Sequence, residues 1–177
     1  MLHTASPFNF SATDPDKGYL IPALDGTKNV LKSVHEYAPQ VTRVVVTSSY
    51  AAVGDFSKDN DPSVTFTEKS WNPQSWEEGR KNNITAYIVS KSYAEKAAWD
   101  FVEENKPKFK LSTVNPTYVF GPQAFDSEVR GTLGTSAEII NSILKLKPGE
   151  DVNEASGAWI DVRDVAKAHL AAFEKEE

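Results

Sequence analysis

The chain is 177 residues long, 40% hydrophobic and 25% charged, with a formal net charge of −6. That is one domain's worth of protein with enough apolar material for a core, and its acidic balance argues against nucleic acid as a partner. It has no cysteine and only three histidines (His3, His35 and His169) at no metal-ligand spacing, so thiolate chemistry is excluded and no metal site is expected.

Leu2 to Ala5 reads as a short strand that ends at the breaker Ser6-Pro7. From Asp16 to Ala38, Leu20, Leu24, Leu31 and Val34 recur at helical spacing, and Pro39 follows the end. Val41 to Thr47 contains three consecutive valines, the short apolar run of a strand buried on both faces. Val53 to Asn83 is irregular and polar but holds Trp71 and Trp76, so a functional loop with buried tryptophans is expected. Thr85 to Asn105 predicts a helix with a stripe of Ala86, Val89, Tyr93, Ala97 and Phe101, and Phe109 to Asn115 predicts a strand. A loop over Thr117 to Thr132, a helix over Leu133 to Lys145, a short strand near Gly157 to Ile160 and a helix from Val162 onward complete the chain. No apolar run approaches the ~20 residues needed to cross a bilayer, and the first residues lack a signal peptide's basic start and apolar stretch. No membrane partner is expected. Strands alternating with helices predict an α/β fold with one parallel sheet covered by helices.

Three features are placed to do chemistry. Ser48 and Ser49 lie just past the carboxyl end of the valine strand, and either could serve as a hydroxyl donor there. Tyr87 and Lys91 stand four residues apart on one helix face. Asn115-Pro116 closes the next strand. In open α/β sheets ligands bind outside the carboxyl ends of the strands, the edge at which all three would meet. Carbonyl reduction needs these residue types. Hydride adds to carbon, and the oxygen must then be protonated. A tyrosine can donate that proton, but its ordinary pKa is about 10, and lowering it to neutrality takes roughly 4 kcal/mol of differential stabilisation. A lysine one turn away is expected to lower it, with a water-excluded site and a positive nicotinamide supplying the rest. A serine hydroxyl would stabilise charge on the oxygen. Taken alone, each feature also fits packing, a solvated face or a helix cap.

At these residues the sequence resembles the extended short-chain dehydrogenase/reductases. It is most similar to the fungal methylglyoxal and aldehyde reductases and the dihydroflavonol reductase-like group. The segments that carry the likeness are VVVTSSYAAV from Val44 to Val53, AYIVSK from Ala86 to Lys91 with AEKAAW from Ala94 to Trp99, TVNPTYVFGP from Thr113 to Pro122, and IDVRDVAKAH from Ile160 to His169. The resemblance spans essentially the whole chain. It implies a partial Rossmann-type domain over residues 1–177 and NADPH as cofactor. It implies Ser49, rather than Ser48, as the catalytic serine, Tyr87 as general acid and Lys91 as the lysine on the nicotinamide ribose. It places Ala5, Ser6, Pro7, Pro116, Val119, Thr135 and Ser136 beside the cofactor and a small carbonyl substrate in the site, and it implies a cytoplasmic enzyme. Phe8, Tyr50 and Phe125 are the expected substrate-pocket wall.

The sequence also departs from the family pattern. The glycine-rich loop that holds a pyrophosphate is absent, as are the strands expected before Leu2. The Leu2 strand is therefore expected at a sheet edge, where it could pair with another chain. Gly54 stands where relatives often carry a bulky side chain, which would widen the pocket or loosen the loop. A non-catalytic fragment of such a reductase stays open as an alternative, as does an epimerase or dehydratase of the same superfamily.

Overall fold

The structure is a computed structural model, and it describes residues 1–8, 11–125, 127, 131, 133–152 and 157–175. Strand β1 (Leu2–His3) precedes a single π turn (Asp16–Leu20) and helix α1 (Ile21–Tyr37). Strand β2 (Arg43–Thr47) leads into the one-turn helix α2 (Tyr50–Val53), a 3-10 turn (Phe56–Lys58) and the short helix α3 (Trp76–Gly79). The long helix α4 (Asn83–Asn105) is followed by β3 (Lys110–Val114) and β4 (Tyr118–Phe120). Then come α5 (Thr135–Leu144), β5 (Trp159–Asp161) and α6 (Val162–Glu174).

The strands are all parallel, and helices flank them. They form two sheets, a correction to the single sheet expected: β1-β2-β3 and a separate pair, β4-β5. Pro116 offers no N–H to continue the β3 ladder, and the chain turns there into β4, inside the stretch expected to be loop. The part of that stretch at 126, 128–130 and 132 lies outside the described residues. Gly121 sits at φ +144°, and a Cβ there would lie 2.5 Å from Val162 Cγ1, so the start of α6 can approach only a glycine.

Register explains which side chains meet which helix. Val44 pairs with Leu111 and Val46 with Thr113. These residues share the face covered by α1 and α4, where Leu31, Val34, Ala98 and Phe109 complete the core. The odd-numbered residues of β2 face the other way. There Thr47 Oγ1 meets His169 Nε2 of α6 at 2.7 Å. His169 Nδ1 donates to the Val165 carbonyl at 2.8 Å, which makes Nε2 the acceptor in the neutral ring.

The stretch from Val53 to Asn83 is held by named anchors rather than by regular structure. Asn72 is buried, donates through Nδ2 to the Gly54 carbonyl at 2.7 Å and accepts from the Gln74 N–H at 2.9 Å. Trp76 donates through Nε1 to Asp16 at 3.0 Å and packs edge-on against Tyr93. Trp71 lies under the Lys96 ammonium. Both tryptophans are half-buried. They dock the loop onto α4 instead of filling a core of their own.

Candidate active site

Helix α4 begins with the Asn82 side chain accepting the Thr85 N–H at 2.9 Å, which fixes its first turn. One turn in stands Tyr87, then Lys91 and Glu95, each four residues on, so the three form one stripe along the helix. Glu95 is the innermost, 5% exposed.

The two serines part at the end of β2. Ser48 continues the even-numbered face of the strand, is buried, and donates to Glu95. Ser49 leaves the strand with φ −162° and ψ 153° and caps α2, accepting the Ala51 N–H at 3.2 Å. Its side chain also hydrogen-bonds Tyr87. Of the two hydroxyls left open by the residues alone, that of Ser49 therefore stands beside the tyrosine.

The electrostatics of Tyr87 differ from the sequence expectation. Burial raises its pKa above the ordinary 10, a nearby Tyr118 pushes in the same direction, and only the Ser49 hydrogen bond opposes them. The expected lowering by Lys91 is absent. The Lys91 ammonium sits 5.8 Å from the centre of the Tyr87 ring, and burial brings its own pKa down from 10.5 to about 8, with Glu95 opposing the fall. Among the described residues Lys91 forms no ion pair within 4.0 Å. On β1, His3 has its pKa lowered by burial and then by the Lys91 charge. These features make a half-buried cation with unspent donors next to a neutral phenol.

The remaining expected residues fall into groups. Ala5, Ser6 and Pro7 follow directly on β1, the strand that carries His3, and Phe8 packs edge-on against Tyr87 with ring centres 5.1 Å apart. Phe8 is 50% exposed, so one side of it is open. Pro116 accepts the Tyr50 N–H at 2.9 Å, which holds the Ser49 turn against the end of β3. Val119 lies in β4, next to Tyr118. Tyr50 turns away: its hydroxyl donates to Asp59 at 2.5 Å, and its ring packs on Phe56 and Phe66. That ring fills the space over Gly54, where a Cβ would meet it at 2.4 Å, so the missing side chain is replaced by Tyr50. Phe125 is 68% exposed. Thr135 and Ser136 open α5, which packs on β4, and no described contact joins them to Tyr87 or Lys91.

Sequence reasoning passed over Glu95, His3 and Tyr118. For Glu95 a signal existed, a carboxylate four residues beyond a lysine on an otherwise small-residue face. For the other two only the fold brings them near.

A family model described as the NAD dependent epimerase/dehydratase family matches residues 2–177. The chain is 55% identical over 180 residues to the NADPH-dependent methylglyoxal reductase of Saccharomyces cerevisiae, covering 100% of this chain and 53% of that protein. Its fold matches a crystal structure of the yeast methylglyoxal/isovaleraldehyde reductase complexed with NADPH, at a TM-score of 0.94 and 55% identity, over 99% of this chain and 52% of the other. A Candida albicans relative crystallised with NADPH gives a TM-score of 0.94 at 54% identity, over 99% and 52%. The chain thus spans about half the length of the curated relatives it matches.

Proposed function

Because the chain belongs to the NAD dependent epimerase/dehydratase family, we propose that it carries the proton-donating side of an NADPH-dependent carbonyl reductase acting on small aldehydes or ketones such as methylglyoxal. The observation that carries this reading is the trio at the end of β2 and the start of α4. Ser49 is hydrogen-bonded to Tyr87, and a half-buried Lys91, which makes no ion pair within 4.0 Å among the described residues, stands one turn on.

The residues fit the nicotinamide–ribose end of such a cofactor. A buried ammonium costs free energy unless oxygens surround it, and ribose hydroxyls would supply them. Lys91 would hold the ribose, with Ala5, Ser6 and Pro7 alongside and Pro116 and Val119 against the ring. Thr135 and Ser136 are the proposed phosphate contacts. NADPH supplies the hydride that the carbonyl carbon accepts. Ser49 Oγ donates a hydrogen bond to the carbonyl oxygen, and Tyr87 Oη delivers the proton that completes the alcohol. The raised pKa of Tyr87 keeps the phenol protonated at neutral pH, which suits reduction; the reverse reaction would need the tyrosinate. Lys91 faces the negative charge left on Tyr87 after transfer. Phe8 and Phe125 are proposed walls for the substrate. Tyr50, turned to Asp59, would line the site only by leaving that contact.

Residues 1–177 act as a single unit in this reading, in the cytoplasm. The strand order leaves β1 outermost in its sheet, the edge at which a second chain would pair. Among the described residues no helix is long and apolar enough to cross a membrane.

The test is titration of the purified protein with NADPH by tryptophan fluorescence, together with methylglyoxal-dependent NADPH oxidation. Saturable binding is expected, with turnover abolished in Tyr87→Phe while binding persists. A folded protein that neither binds NADPH nor turns over would favour the non-catalytic alternative.

A further inference from the structure

We propose that Glu95 is a positioning residue for this site: its carboxylate fixes the Ser49 turn through Asn115 and sets a negative charge one helical turn beyond Lys91 on the same helix. The inference rests on the reductase reading for its function, but not for its geometry.

Four donors converge on this one buried carboxylate. Oε2 accepts from Ser48 Oγ and from Asn115 Nδ2 at 2.6 Å. Oε1 accepts from Thr113 Oγ1 at 3.0 Å and Trp99 Nε1 at 3.4 Å. They come from the end of β2, from β3, from the residue after β3 and from α4 itself. The carboxylate therefore joins the helix that carries Tyr87 and Lys91 to the strand ends that carry Ser49. Asn115 and Trp99 can act here only as donors, so a group that is acceptor on both sides is required. The other hydrogen of Asn115 Nδ2 goes to the Ser49 carbonyl at 3.1 Å. With Ser48 N–H on the Val114 carbonyl and Tyr50 N–H on that of Pro116, three consecutive residues of the turn are tied to the end of β3.

Glu95 has a second effect because it lies one helical turn beyond Lys91. With its oxygens turned to the four donors, it makes no ion pair with Lys91 within 4.0 Å, and it acts through its field. It is the charge that opposes the loss of the Lys91 proton on burial. The other titratable groups coupled to Lys91 are Tyr87 on α4 and His3 on β1. Among the described residues no further charged group from the elements packed on α4 contributes. A neutral side chain at position 95 would leave Lys91 uncharged over more of the alkaline range.

Glu95→Gln keeps the volume and one acceptor, which can stay turned to Asn115, while removing the charge. Asn115→Ala keeps the charge and removes the tether. The titration of Lys91 is read by NMR of 13C-lysine-labelled protein, with Lys91→Arg identifying the resonance. Amide exchange at Ala51, whose N–H is capped by Ser49, reads the turn. Glu95→Gln is expected to lower the Lys91 midpoint and to move the alkaline fall of turnover with it. Asn115→Ala should leave the midpoint in place but speed exchange at Ala51 on the order of tenfold, one hydrogen bond's net worth. A Lys91 midpoint unchanged in Glu95→Gln, or Ala51 exchange unchanged in Asn115→Ala, overturns the inference. Because both readouts are independent of turnover, an inactive wild-type protein with the expected shifts would count against the reductase reading alone.

Discussion

Lys91→Met should make the protein more stable at neutral pH while abolishing the proposed carbonyl reduction. In the folded state the ammonium has its pKa lowered from 10.5 to about 8 by burial. The unfolded chain therefore binds the extra proton more tightly throughout the interval between those values. The sign follows from linkage: stability rises with pH wherever the unfolded state holds more protons. The full penalty is present below about pH 8 and is relieved as pH climbs toward 10.5. Integrated, it is roughly 3 kcal/mol at neutral pH and about 1 at pH ~9.5, a recovery of about 2 kcal/mol. Methionine has similar length and no charge to desolvate, so its curve lacks this component. Urea denaturation of both proteins at about pH 7 and about pH 9.5 isolates it as a double difference. The raised tyrosines, Tyr19, Tyr50 and Tyr87, lose stability only as pH passes their unfolded value near 10. Their influence is common to both proteins. Wild type should gain about 2 kcal/mol on Lys91→Met between the two conditions. A constant gap would mean that Lys91 is solvated and that burial does not govern this site.

Asn72→Ala should cost about 2–4 kcal/mol in chemical denaturation, because the Gly54 carbonyl and the Gln74 N–H lose their buried partner together. Ser92→Ala should be neutral or stabilising within about 1 kcal/mol, since the buried Ser92 Oγ has no hydrogen-bond partner among the described residues. Gly121→Ala should lower the thermal midpoint, at a cost of about 1–3 kcal/mol, from the left-handed backbone and the contact with Val162. An unchanged midpoint would show that the β4–α6 junction relaxes freely.

The sequence by itself determined the local elements and the chemistry they could offer. The valine run, the helical stripe from Leu20 to Val34 and the Tyr87–Lys91 spacing all express periods of two or of 3.6 residues, which a single segment carries within itself. The alternation of those segments was enough for an α/β fold with parallel strands. Tertiary structure decided what depends on a partner far away in the chain. Whether Ser48 or Ser49 meets the tyrosine follows from which strand face continues into α2. The division into two sheets follows from the turn at Pro116. Tyr50 closes over Gly54 because Asp59, Phe56 and Phe66 hold it there. The pKa of Tyr87 runs opposite to the expectation because burial, which only packing creates, disfavours the phenolate and Lys91 does not offset it. Glu95 was overlooked for the same reason: three of its four donors, Ser48, Thr113 and Asn115, lie 47, 18 and 20 residues away. Periodicity is a property of a segment, whereas desolvation and hydrogen-bond partnership are properties of the assembled chain.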